Sequence, residues 1–93
     1  MRVILEIDVD GKGYVCVRDK DWLIKFFESI FKYASRLERW NIVCSVVWHG
    51  DYWAYHLNLT DWDVGIFIQY RVIAKDEIIN ELDERFGAQI IIV

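Results

Sequence analysis

The chain has 93 residues, 55% apolar and 16% aromatic, with five tryptophans and no proline, a composition that supports one hydrophobic core and excludes intrinsic disorder. Its net charge of −4 comes from 11 basic and 15 acidic residues; residues 1–46 carry 8 and 7 of them and residues 47–93 carry 3 and 8, which disfavours a nucleic-acid groove in the second half. Uncharged stretches fall well short of the ~18 residues of a membrane span, and Met1-Arg2-Val3-Ile4-Leu5-Glu6 reaches an acid too early for a secretory leader, so one intracellular, cytoplasmic domain is expected over residues 1–93.

Val3, Leu5, Ile7 and Val9 alternate with Ile4, Glu6, Asp8 and Asp10, and Gly11-Lys12-Gly13 then leads into Tyr14-Val15-Cys16-Val17-Arg18. This predicts a hairpin with Gly13 left-handed in a three-residue loop, pairing Val9 with Val15, Ile7 with Val17 and Glu6 with Arg18. Asp19 or Asp21 can cap a helix over about 20–39. Its stripe of Leu23, Phe26, Phe27, Ile30, Ala34 and Leu37 recurs at three- and four-residue steps, and Arg36 and Arg39 occupy its last turn.

Gly50-Asp51 has the Gly-X form of a type II′ turn, which pairs Trp48 with Trp53, Val46 with Tyr55, Cys44 with Leu57 and Ile42 with Leu59. A second turn around Asp61-Trp62 then pairs Leu59 with Val64, Leu57 with Ile66, Tyr55 with Ile68 and Trp53 with Tyr70. A one-residue slip would mix His, Asn and Gln into this apolar face, so the pattern selects its own register. A second helix over 75–86 turns Ile78, Ile79, Leu82 and Phe86 inward and stops at Gly87. Residues 88–93 run without alternation, as suits a strand covered on both faces or sealed by a partner.

The expected fold is α+β: a two-layer sandwich with a mainly antiparallel sheet of about six strands, in the order ββαβββαβ, and two helices on one face. In architecture it distantly resembles a ferredoxin-like core with extra strands, a likeness that carries no function.

The register that buries one face of the meander leaves Val43, Ser45, Val47, His49, Tyr52, Ala54, His56, Asn58, Phe67, Gln69, Arg71 and Ile73 on the other, with Arg71 the only full charge. Two helices cover one side of such a sheet, and so apolar a second side calls for a partner. The candidate partner-binding residues are therefore Val47, Tyr52, Ala54, His56, Phe67, Gln69 and Arg71. A second copy of the chain, meeting this face or the terminal strand, is the expected partner, and a different protein the next. On the long helix Lys25, Lys32, Arg36 and Arg39 form a basic ridge opposite the apolar stripe, an alternative surface for nucleic acid or an acidic protein. The sheet aromatics offer nucleic acid another site, since Phe67-Ile68-Gln69-Tyr70 resembles the end of the RNP1 pattern of RNA-recognition motifs; the Lys/Arg-Gly start and the RNP2 aromatic are missing.

Metal and catalytic motifs are weaker. Residues 8–19 resemble an EF-hand calcium loop, with acids at its first, third and last positions and Gly13 at the sixth, but Lys12 would face the ion and a strand replaces the entering helix. His49 and His56 fall four strand steps apart in the register, too far to share an ion. The acids around Trp62, Asp61 and Asp63, read as solvated turn residues, and Trp62 as an exposed anchor for a partner. Cys16 and Cys44 have no metal-like spacing and are expected reduced and far apart. No catalytic constellation emerges, so a non-enzymatic interaction protein without cofactor, metal or membrane partner is expected. Short, proline-free chains rich in Ile and aromatics resemble in composition the accessory proteins of thermophilic archaea and their viruses.

Overall fold

Alternating apolar residues form strands, and apolar residues recurring at three and four steps form helices. In the computed structural model, which describes residues 3–8, 12–17, 20–37 and 39–92, the elements follow in chain order. They are β1 (Val3–Asp8), β2 (Lys12–Val17), α1 (Lys20–Leu37), β3 (Asn41–Trp48), β4 (Trp53–Asp61), β5 (Ile66–Ile73), α2 (Asp76–Phe86) and β6 (Gln89–Ile92). The chain is α+β, with two helices and one mixed sheet in the order β2-β1-β5-β4-β3-β6. All neighbours are antiparallel except β3 and β6, which are parallel. The likeness to a ferredoxin-like core ends at this order. In that core each crossover passes a single strand, whereas here α1 joins β2 to β3 across three strands and α2 joins β5 to β6 across two.

The β3–β4 hairpin has the register its sequence specifies, with Trp48 opposite Trp53, Val46 opposite Tyr55, Cys44 opposite Leu57 and Ile42 opposite Leu59. Gly50 at φ 98° supplies the positive φ that the tight turn requires. Two other registers differ from expectation. In β4–β5, Leu59 faces Ile68, Leu57 faces Tyr70 and Tyr55 faces Val72, because the loop runs over four residues from Trp62 to Gly65. Gly65, at φ 71°, closes it by donating its N–H to the Asp61 carbonyl at 2.9 Å. In β1–β2, Ile7 faces Gly13 and Val3 faces Val17. Gly13 is thus inside a strand, and β1 must also pair with β5, from Ile4 opposite Ile73 to Asp8 opposite Gln69. Both shifts are even, so each residue keeps its face. The expected partners Val9 and Arg18, and Asp19 as a cap, lie outside the described residues.

Both helices pack on one face of the sheet. Leu23, Ile24, Phe27 and Ala34 of α1 and Ile78, Ile79 and Leu82 of α2 meet Val46, Tyr55, Leu57, Leu59 and Val72 in one core. The helices touch where Phe31 stacks on Phe86, with centroids 5.1 Å apart and planes 4° from parallel. α1 ends at Leu37, before Arg39, and Gly87 caps α2 with its N–H on the Asp83 carbonyl at 2.7 Å. No helix among the described residues is long and apolar enough to cross a membrane.

Candidate functional site

The terminal strand is where apolar sequence and solvent coincide. β6 lies at the rim of the sheet, paired on one side only, with Ser45, Val46, Val47 and Trp48 opposite Gln89, Ile90, Ile91 and Ile92. Within the chain it is not covered on both faces as its unbroken run suggests: all four residues are exposed, Ile90 by 69% and Ile92 by 74%. Its position is set from the core. Tyr55, fully buried on β4, donates its hydroxyl to the Gly87 carbonyl at 2.8 Å and so ties the α2–β6 turn to the sheet.

Beyond the four paired residues, the first half of β3 borders a groove of about 320 Å³ lined by Phe31, Ile42, Cys44, Phe86 and Ala88. Cys44 is a free thiol there. Burial pushes its pKa up, partly opposed by a hydrogen bond with Tyr55. Burial also pushes the Tyr55 phenol up, reinforced by Cys44 and then Asp83, and burial alone raises Tyr70. Cys16 is in β2 and Cys44 in β3, four strand spacings apart. At ~4.8 Å each these far exceed the ~7 Å Cα limit for a disulfide, so the two do not bond within one chain.

The outer sheet face is largely covered by its own side chains. Val47, Ala54, His56 and Ser45 are buried, while Tyr52, Gln69 and Arg71 are half-buried. Among the described residues this face exposes Phe67, at 48%, Val43 and, on β6 opposite Val47, Ile91. Of the seven candidate partner-binding residues, Phe67 is thus the exposed one and Val47, Ala54 and His56 lie beneath others. Gln69 donates to the Asn58 side-chain carbonyl at 2.9 Å across β4 and β5.

The same face carries the two histidines, whose separation the register alone misjudges. His49 and His56 flank the Val47–Ala54 pair on adjacent strands, yet their Nε2 atoms are 3.3 Å apart. Both imidazoles lie along the strands, reaching toward each other over the small Ala54. Their centroids are 5.5 Å apart with planes 18° from parallel. The excess over the nitrogen separation is about two ring radii, so the rings meet head to head and share an N–H···N hydrogen bond. Tyr52 stacks on His49 with centroids 5.0 Å apart. The signal for this pair was the small Ala54 on the same sheet face as two histidines from adjacent strands.

The basic ridge is shorter than expected. Lys25, Lys32 and Arg36 are exposed along α1, with Trp22 and Tyr33 exposed beside them. Arg39 has left the helix, and its Nε donates to Asp61 Oδ2 at 2.6 Å. Asp61 is correspondingly not a solvated turn acid: it is 1% exposed, and its Oδ1 accepts the Asp63 N–H at 3.0 Å. Trp62, at the same hairpin tip, is 77% exposed. The stretch resembling a calcium loop contains β2 and the end of β1, paired as a hairpin; residues 9–11, 18 and 19 lie outside the described residues.

Comparison with protein-family models, with curated proteins and with solved structures finds no match. Fold and surfaces together define an α+β protein with a bare apolar sheet edge and a histidine pair on the face away from its helices.

Proposed function

We propose that the chain is a small non-enzymatic interaction protein that associates with a second copy through the edge of β6. The observation that carries this reading is the exposure of an uncharged strand, Gln89-Ile90-Ile91-Ile92, at the rim of the sheet. Edge strands are ordinarily protected by lysine, proline or a bulge, because their unpaired N–H and C=O groups template a further strand. β6 has no charged residue or proline. A second β6 packed antiparallel about a two-fold axis satisfies those groups and sets isoleucine against isoleucine.

Burying an isoleucine is worth about 1.5–3 kcal/mol, and association entropy offsets several such terms. A dimer of roughly micromolar to submillimolar affinity follows. Light scattering behind a sizing column tests it: the mass of the wild type rises toward the dimer between ~10 µM and ~1 mM. The double variant Ile90→Lys, Ile92→Lys stays a folded monomer, because both positions are already in solvent. A wild type that is monomeric throughout overturns the proposal.

A second reading, nucleic-acid binding along α1, is favoured by exposed Trp22 and Tyr33 beside Lys25, Lys32 and Arg36, since alternating cations and aromatics suit a single strand. Under it, oligonucleotide binding weakens with salt and is lost in Lys32→Glu, Arg36→Glu, while the β6 variants retain it. Binding unchanged by the ridge substitutions but lost on Phe67→Ala would move the site to the sheet face.

A further inference from the structure

His49 and His56 hold two ring nitrogens at a separation that a metal ion can bridge. Ions such as zinc bind imidazole nitrogen at about 2.0–2.1 Å, and two such bonds closing on nitrogens 3.3 Å apart meet at about 105°, close to tetrahedral. Because the rings meet head to head, each lone pair aims at the other ring, and the two rings must turn by about 35–40° for their lone pairs to converge on the ion. Tyr52 stacks on His49, His56 is buried against the sheet, and the Val47–Ala54 pair beneath them sets no bulky group between the nitrogens. His49 is exposed, which leaves the ion an approach from solvent.

We propose that His49 and His56 form a two-ligand site for a divalent transition-metal ion of the zinc class, with water in the remaining positions. Imidazole suits zinc, copper and nickel. In the neutral pair one Nε2 carries the shared hydrogen, and the ion needs both lone pairs. On binding, that hydrogen therefore moves to Nδ1 of its own ring, with no change of oxidation state and no net loss of a proton. Among the described residues no third His, Cys, Asp or Glu joins the pair, which holds the affinity down. The site is thus exchangeable rather than structural, and the fold does not depend on it.

The probe is zinc chloride added to the full chain at about pH 7.5. The readouts are two-bond proton–nitrogen correlation of the imidazoles and thermal unfolding. The Nε2 signals of His49 and His56 are expected to move together on one saturating curve, and both rings to become Nδ1–H tautomers. The melting temperature rises by a few degrees, and the rise is lost in His49→Gln, a change at an exposed position that leaves the fold intact. Movement of one ring alone, or a His49→Gln variant stabilised as much as the wild type, overturns the chelate.

Discussion

Tyr55 concentrates more of the structure in one side chain than any other residue of the meander. It is buried in the core, opposes Val46 and Val72 in the register, meets Phe27 at a centroid distance of 6.0 Å and fixes the carbonyl at the start of the β6 turn. Its phenol and the Cys44 thiol are both held neutral by burial, and Tyr70 follows them. All three pKa values are raised in the folded state, so above the unfolded values the unfolded chain binds fewer protons than the native one, and stability falls as pH rises. The loss begins near pH ~9 with the thiol and steepens above ~10 with the phenols. Denaturant unfolding across pH 7–11 measures it, and Tyr55→Phe should flatten the upper part of the curve. A stability independent of pH over that window would contradict the burial of these groups. That Tyr55 faces inward was legible from alternation. Its bond to Gly87 was not, because that contact needs the α2–β6 turn to be placed first.

The β4–β5 hairpin shows which features of an element sequence pattern defines. Alternation assigned the inner residues Leu57, Leu59, Ile68 and Tyr70 to the correct face, because an even register shift leaves faces unchanged. The pairs themselves depended on loop length, and that is decided by Asp61, which reads on paper like any polar turn residue. Its carboxylate bonds the loop at Asp63 and the cation at Arg39, and its carbonyl closes the loop at Gly65. Arg39→Ala leaves a buried carboxylate without its cation and should cost about 1–3 kcal/mol, whereas Lys32→Ala on the exposed ridge should change stability by less than about 0.5 kcal/mol. Chemical unfolding separates the two, and equal effects would show that the Arg39 pair is unimportant to the hairpin. The histidine pair was hidden by a similar limit: counting strand steps locates Cα atoms, and two imidazoles lying along the sheet close most of that distance themselves.

At the scale of the molecule the chain solves one of its two exposure problems internally. The face away from the helices, which alternation alone leaves bare, is covered over Val47 and Ala54 by neighbouring side chains, and the most exposed isoleucines lie instead at the rim. There β6 remains paired on one side. Because the edge carries no charge, its association should withstand high salt, unlike any binding along the α1 ridge. Amide hydrogen exchange in β6 reads the pairing most directly. At ~1 mM chain the β6 amides that do not bond β3 should be protected, and at ~10 µM they should exchange freely, as concentration-dependent pairing with a second copy requires. Exchange in β6 that is the same at both concentrations, with protection appearing instead around Val43 and Phe67, would contradict edge pairing and return the interface to the sheet face.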